Sequence, residues 1–248
     1  MVWLRVLVAL PFGLALGSFM TVATHRLPEK QSVVRPRSRC PNCGAEIRNR
    51  DNVPVVSWLV LRGRCRDCGA RISFAYPLLE LATAALVVAA AVRYERPWVG
   101  AMVALMLALM PAIAFIDLRH RIVPNRIVVP AAAVTLVAHT AIDPSVAWLA
   151  GALGASGFLF VAVLAYPKGL GMGDVKLALL LGAMLGGAVV VALLLGFVAA
   201  LVPSVALFAR HGSGARKMAI PLVPFLSLGA VVALFFGQGL LHAYLGLF

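Results

Sequence analysis

Charged side chains are scarce in this chain, and acidic ones are the scarcest. Only 12% of the 248 residues are charged, nine of them aspartate or glutamate. The mean hydropathy is +0.97. A typical soluble domain has about 25% charged residues, so this composition excludes an ordinary soluble protein and indicates a multi-pass membrane protein. Each spanning segment must satisfy its own backbone hydrogen bonds within lipid, which predicts helices.

Long polar segments are also lacking, because only one occurs, at residues 25–76. The remaining sequence predicts eight spans, near 2–24, 77–93, 98–117, 127–142, 146–166, 175–187, 188–208 and 220–246. The sixth is short for a bilayer that takes about 20 residues to cross, and Gly186 and Gly187 separate it from the seventh. We therefore expect an all-α membrane protein with about eight transmembrane helices. Its expected divisions are a first helix at 1–24, a cytoplasmic loop at 25–76 and a seven-helix membrane domain at 77–248.

The basic residues are distributed unevenly around these spans. The net charge of +13 would suggest nucleic acid in a soluble protein. With the N-terminus outside, however, 19 of the 22 basic residues fall in four cytoplasmic loops, at 25–76, 118–126, 167–176 and 209–218. The positive-inside rule explains this pattern, so we expect no nucleic-acid partner. The first apolar run is longer than a typical signal-peptide core and its basic flank follows it, which favours a membrane span over a cleaved signal.

Cysteine is rare, and its four copies all lie in the polar loop. They form two pairs, Cys40-x2-Cys43 and Cys65-x2-Cys68, separated by 21 residues. Each pair is followed by Gly-Ala and then an isoleucine, so the halves repeat. This is typical of a zinc ribbon with four thiolate ligands and no open position, which indicates a structural zinc ion. The alternative, two disulfides or a redox pair, fits an oxidising compartment better than a cytoplasmic loop.

Three acidic residues fall at membrane depth or its edge: Glu80, Asp117 and Asp174. Asp117 ends the third span and Asp174 begins the sixth, so both lie at the predicted cytoplasmic face. If the two carboxyl groups meet, they share one proton, which is the chemistry of aspartic proteolysis. Simpler roles remain open: Asp174 as a helix cap, and Asp117 as a partner of Arg119 or Arg121. A proton-coupled transporter and a zinc-ribbon scaffold are the alternative classes.

Five segments together resemble the type IV prepilin peptidases, which are leader peptidases and N-methyltransferases. They are GSFMTVATHRLP at 17–28, the cysteine-containing stretch 40–83, FIDLRHRIVPN at 115–125, GMGDVKLALLLGAMLG at 171–186 and IPLVPFLSLGA at 220–230. A presenilin-like protease also has a Gly-x-Gly-Asp motif, but that family does not account for the four-cysteine loop. The resemblance covers most of the chain.

The resemblance implies a catalytic function and a location. Asp117 and Asp174 would be the catalytic pair of a membrane aspartic endopeptidase in the bacterial inner membrane, acting at the cytoplasmic face. Its substrates would be type IV prepilins and type II secretion pseudopilins, cleaved after a basic leader. The new N-terminus would then be methylated with S-adenosylmethionine, which Glu80 would contact; alternatively, Glu80 is simply a favourable charge at a helix N-terminus. Nothing in the sequence indicates an oligomeric state.

Overall fold

Helices account for the regular structure of the chain. The computed structural model describes residues 2–167, 169–212, 214 and 220–246, except for the side chains of 242, 244 and 245. Within these residues there is no β-strand, and two short 3-10 turns occur at Asn49–Asp51 and Gly186–Ala188. The helices are α1 (Val2–Arg26), α2 (Val56–Val60), α3 (Ala75–Arg93), α4 (Pro97–His120), α5 (Asn125–Ile142), α6 (Val146–Ala165), α7 (Met172–Leu185), α8 (Val189–His211) and α9 (Val223–Leu245). The all-α prediction, with a four-cysteine loop between the first two long helices, is confirmed.

Seven helical stretches of the described residues are long and apolar enough to cross a membrane. One of them, Met172–His211, contains both α7 and α8 and corresponds to the predicted sixth and seventh spans. The predicted break is present, because α7 ends at Leu185 and the capping residue Gly186 has φ +55°. At 1.5 Å per residue, the 14 residues of α7 extend about 21 Å, short of the roughly 30 Å hydrocarbon core.

The chain divides into two compact units, Met1–Ala112 and Ile113–Phe248, with the division inside α4. In the first unit α1 packs along α3, and the four-cysteine loop connects them. In the second unit α5, α6 and α9 pack against α7. The expected boundaries at 24/25 and 76/77 stay predictions. Lys168 and half of the predicted cytoplasmic loop 209–218, including Arg216 and Lys217, lie outside the described residues.

Glycines bring the backbones of α1 and α3 together in the first unit. A Cβ atom on Gly13 would lie 2.8 Å from the Ala84 Cα, and one on Gly17 would lie 2.7 Å from the Glu80 Cα. Both distances are too short for real contacts. Within lipid, helices associate through such close packing because hydrocarbon supplies no hydrophobic force between them. The Gly13-x3-Gly17 spacing therefore determines the line of contact.

Glycines also allow close helix packing around α7 in the second unit. A Cβ on Gly182 would collide with the Gly151 carbonyl of α6 and lie 2.6 Å from the Ala152 Cα. Nine of the 14 residues of α7 are buried, which explains why residues 177–185 of this helix are apolar on every side. The sequence LALLL thus faces protein. This arrangement positions the first turn of α7, which carries Asp174.

Replacing Gly182 by alanine should destabilise the protein. The new methyl group would force α6 and α7 apart, at a cost of about 1–3 kcal/mol. Gly154→Ala in α6 is the matched control, because a Cβ there meets nothing within 4 Å, and alanine favours the helix by up to about 1 kcal/mol. Thermal unfolding in detergent measures both. Equal melting temperatures for the two variants would contradict the packing described.

Candidate functional site

Asp117 lies in the last turn of α4 and is buried. The residue is only 6% exposed. Its backbone carbonyl accepts the Arg121 N–H at 2.9 Å, where Arg121 adopts φ +53° and ends the helical path. Its Oδ2 atom is buried and has no hydrogen-bond partner within the part of the chain that the structure describes. Since burying such an oxygen unpaired is costly, it is available to a ligand or to water.

Asp174 lies in the first turn of α7 and is half-buried. Its Oδ2 accepts the Gly171 N–H at 3.0 Å, while its own N–H donates to the Gly171 carbonyl at 3.0 Å. The alternative interpretation of Asp174 as a helix cap therefore has a structural basis. The positive end of the helix dipole also stabilises a negative charge at this position. Capping holds the carboxyl group in place and does not exclude a catalytic role for it.

Both aspartates line one pocket of about 350 Å³ in the second unit. The 121–125 connection between α4 and α5 lines the same pocket, and the carboxyl group of Asp174 acts electrostatically on that of Asp117. Gly173 permits this arrangement, because a Cβ there would lie 2.9 Å from the Val123 Cγ2. The structure thus brings together two carboxyl groups that lie on separate helices.

Two further polar residues of this pocket escaped the sequence reasoning. The Lys176 ammonium donates to Asn125 Oδ1 at 2.9 Å, and both residues line the pocket with the two aspartates. This bond links the start of α5 to the first turns of α7. The signal was present in the motifs, because Lys176 follows Asp174 by two residues and Asn125 ends FIDLRHRIVPN. Nothing in one sequence, however, indicates that they meet.

The ion pairs weighed for Asp117 are not observed. Arg119 lies over the Phe115 ring, 4.4 Å from its centroid. Arg121 lines the pocket and acts electrostatically on Asp117, yet no basic nitrogen of the described residues lies within 4.0 Å of the Asp117 carboxyl oxygens. The buried Asp117 carboxyl group is therefore not neutralised by a direct salt bridge.

The cysteine loop contains two nearly identical knuckles in the first unit. Cys40 N–H donates to the Ala45 carbonyl at 2.9 Å, and Cys65 N–H donates to Ala70 at 2.8 Å. The glycine after each pair takes a left-handed conformation, with φ +73° at Gly44 and +71° at Gly69, which glycine adopts without strain. The repeat seen in the sequence is therefore a repeat in the backbone.

The four cysteines are close enough to hold a metal ion. All four thiols are free, and their sulfur atoms lie within 4.8 Å of one another. The Cys40 and Cys68 sulfurs are 3.8 Å apart, far longer than a disulfide bond of about 2.05 Å. A tetrahedral site with metal–sulfur bonds of about 2.3 Å places its sulfurs about 3.8 Å apart. The donor set therefore fits a closed tetrahedral site.

Backbone donors favour thiolates at this site. The N–H groups of Cys43 and Asn42 lower the pKa of Cys40. The Ala70 N–H and then the Asn42 side chain lower the pKa of Cys68 to about 6. At Cys43 the Ala45 N–H acts in the same direction, but contact with Cys68, burial of the thiol and contact with Cys40 together prevail and raise its pKa to about 12. Because each thiolate hinders ionisation of the next, a cation bound among them would stabilise all four.

Glu80, the third acidic residue singled out, lies in α3 in the first unit. It is only 7% exposed, and its Oε2 accepts the Val55 N–H at 2.7 Å. This bond ties α2, which lies between the two cysteine knuckles, to a spanning helix. A role for Glu80 toward a cofactor stays a prediction.

These features define a class: a multi-pass helical membrane protein with a carboxylate pair at helix ends and a four-thiol loop. Comparisons with known proteins show to which family within this class the chain belongs. Residues 11–94 match the model of the bacterial peptidase A24 N-terminal domain, and residues 102–205 match that of the type IV leader peptidase family.

Proteins named prepilin leader peptidase/N-methyltransferase resemble the chain along nearly its whole length. The one from Bacillus subtilis is 35% identical, covering 94% of this chain and 95% of the relative. The one from Aeromonas hydrophila is 34% identical, covering 98% and 94%, and the one from Pseudomonas aeruginosa is 33% identical, covering 97% and 93%. No solved structure matches the chain significantly. The chain belongs to the type IV leader peptidase family, so the predicted family is confirmed.

The four-thiol site should bind about one metal ion per chain. Cys43→Ser should abolish metal binding and lower the melting temperature, because folding of the loop is coupled to the metal. Elemental analysis and thermal unfolding of the purified protein measure both effects. Glu46→Gln, which removes only the exposed Arg37–Glu46 ion pair at 3.0 Å, should retain the metal and lose at most about 1 kcal/mol. A metal-free wild-type protein as stable as the metal-loaded one would refute the assignment.

Proposed function

We propose that this protein is an aspartic endopeptidase that removes the basic leader from type IV prepilins and type II secretion pseudopilins. The observation that carries the proposal is that Asp117 and Asp174 line one pocket. Relatives covering nearly the whole chain are named prepilin leader peptidase/N-methyltransferase. No other class considered accounts for both the carboxylate pair and the four-cysteine loop.

The proposed chemistry needs one proton shared between the two carboxyl groups. The ionised group accepts a proton from water as that water attacks the scissile carbonyl carbon, and the protonated group donates to the carbonyl oxygen. Breaking the C–N bond then requires a proton on the leaving nitrogen, which the newly protonated carboxyl group supplies. The other group, now ionised, takes a proton back from a hydroxyl of the tetrahedral intermediate as the product carboxyl group forms, so the pair again holds one proton. The Gly171 N–H holds the Asp174 carboxyl group, while the unpartnered Asp117 Oδ2 is free to bind water.

We place this reaction at the cytoplasmic face of the bacterial inner membrane, with the N-terminus outside. The distribution of 19 of 22 basic residues over the proposed cytoplasmic loops supports that orientation. Asp117 lies in the last turn of α4 and Asp174 in the first turn of α7, as expected at a membrane boundary. A basic leader on the cytoplasmic side and an apolar segment in the bilayer would place the scissile bond between them. The proposed domains are 1–24, 25–76 and 77–248.

We propose zinc as the metal of the cysteine loop. Four thiolates at tetrahedral spacing favour zinc among the available divalent ions. Cys40, Cys43, Cys65 and Cys68 would all be ligands, leaving no open position. The ion would therefore stabilise the loop and take no part in proteolysis.

We also propose that the cleaved N-terminus is methylated, which the names of the relatives support. S-adenosylmethionine would supply the methyl group. Glu80 is the residue proposed from the sequence to contact it, but its Oε2 is committed to the Val55 N–H. We derive no step through this cofactor.

Asp117→Asn and Asp174→Asn should each reduce leader cleavage by about 10²–10⁴-fold, because either change removes the shared proton. Mass spectrometry of a co-expressed prepilin reports the cut position and any added methyl group together. Asp143→Asn, in the turn before α6 and outside the pocket, is the matched control and should cleave normally. Near-normal cleavage by either pocket variant would eliminate the proposed dyad.

Lys176→Met should slow cleavage about tenfold while the protein still folds. The change removes a charged hydrogen bond, typically about 1.5–3 kcal/mol, and loosens the link between the α5 and α7 ends of the pocket. Rates measured on purified membranes test this, since about 1.4 kcal/mol corresponds to a tenfold change. Lys176→Arg preserves charge and donor and should recover most of the rate. If methionine and arginine behave alike, the bond to Asn125 does not position the site.

A further inference from the structure

We propose that α2 lies in the membrane interface, with its apolar face inserted beneath anionic lipid headgroups at the membrane surface where α3 begins. The occupant of this face is the lipid bilayer. The inference rests on the spanning character of α1 and α3 and is independent of the proteolytic activity.

The short helix α2 presents an apolar face that none of the described residues covers. Val56, Leu59 and Val60 are 53%, 61% and 70% exposed. Their spacing of three and four residues places them on one side of the helix. Ser57, on another side, is buried. Three adjacent large aliphatic residues left in water would be costly, whereas an interfacial helix buries such a face among acyl chains.

The depth of α2 is determined by its bond to a spanning helix. The Val55 N–H, immediately before α2, donates to Glu80 Oε2 at 2.7 Å. Glu80 is five residues beyond the start of α3, which corresponds to about 7.5 Å along the helix axis. At this level α3 itself exposes Leu78 and Leu81. The apolar face of α2 therefore continues the lipid-facing surface of a transmembrane helix.

The orientation of α2 is held by its own backbone. Val55 adopts φ +60° and ψ −49°, and the Val56 N–H donates to the Pro54 carbonyl at 2.6 Å, which forms a γ-turn. This conformation is strained for a β-branched residue, so the surrounding contacts must maintain it. The Ser57 hydroxyl supplies two of them, accepting the Val53 N–H at 3.0 Å and donating to the Arg50 carbonyl at 3.1 Å.

The charges around α2 favour anionic lipid. Three acidic residues of the cysteine loop are paired with arginines, in Arg37–Glu46, Arg48–Asp67 and Arg66–Asp51. Other arginines of the loop are exposed and form no ion pair within the described residues; among them are Arg62, Arg64 and Arg71. Arg62 follows α2 by two residues. Basic residues beside an inserted apolar face are attracted to negatively charged lipid headgroups.

Photo-crosslinking of the full chain in lipid nanodiscs tests the proposal. Leu59 is replaced by p-benzoylphenylalanine, and adducts are identified by mass spectrometry in phosphatidylcholine discs with or without phosphatidylglycerol. The matched control carries the same probe at Ile47, an exposed aliphatic residue at the first cysteine knuckle. We expect lipid adducts at position 59 several-fold above those at position 47. Equal yields, no lipid adduct at position 59, or adducts only with protein would overturn the proposal.

A second comparison tests whether the exposed arginines near α2 contribute to lipid binding. Arg62→Gln combined with Arg71→Gln should lower the lipid-adduct yield at position 59 in discs that contain phosphatidylglycerol, and leave it unchanged in neutral discs. Arg93→Gln, at the other end of α3, should change neither yield. Metal content confirms that the loop remains folded in each variant. An unchanged yield for the double variant in anionic discs would exclude the anionic headgroups from the proposal. Leader cleavage by each variant is measured separately, so loss of proteolysis is not mistaken for loss of lipid contact.

Discussion

The pocket that contains both aspartates depends on the close approach of the 121–125 connection to the first turn of α7. Gly173 permits that approach, because any side chain there would collide with Val123. The Lys176–Asn125 hydrogen bond closes the same contact from the other side. Because Asp117 lies just before this connection and Asp174 follows Gly173, the contact determines whether the carboxyl groups share a pocket. The proposed proton sharing rests on that proximity, because two like charges close together in a low-dielectric environment disfavour simultaneous ionisation.

Glycines also determine how closely the helices around the pocket pack together. α7 is too short to span the bilayer by itself, and it is surrounded by protein over most of its surface. At Gly151 and Gly182 the surface of α7 therefore contacts the backbone of α6 and not lipid. In hydrocarbon, where apolar surface has no solvent to escape, dispersion between closely packed backbones supplies the association. The polar first turn of α7 is held at a fixed place as a result.

In the first unit, the polar loop between α1 and α3 must be ordered without an apolar core. Residues 25–76 contain too few apolar side chains to form a core, so their order comes from four clustered thiols, three ion pairs and the Val55–Glu80 bond. A bound cation would neutralise thiolates that otherwise hinder one another's ionisation. The Val55–Glu80 bond then connects this loop to a spanning helix, and the exposed face of α2 extends the surface that faces lipid.

The sequence by itself determined the helical membrane class, the break at Gly186 and the paired cysteine knuckles. It also singled out the two pocket aspartates, because acidic residues at the membrane boundary are rare. These follow from local composition and spacing, because hydropathy, glycine breaks and thiol spacing act over a few residues. Only the tertiary structure decided that Asn125 meets Lys176, that Glu80 binds Val55 and that Asp117 has no ion-pair partner within the described chain. Those facts depend on side chains from separate elements arriving at the same point, and no single-sequence pattern encodes that convergence.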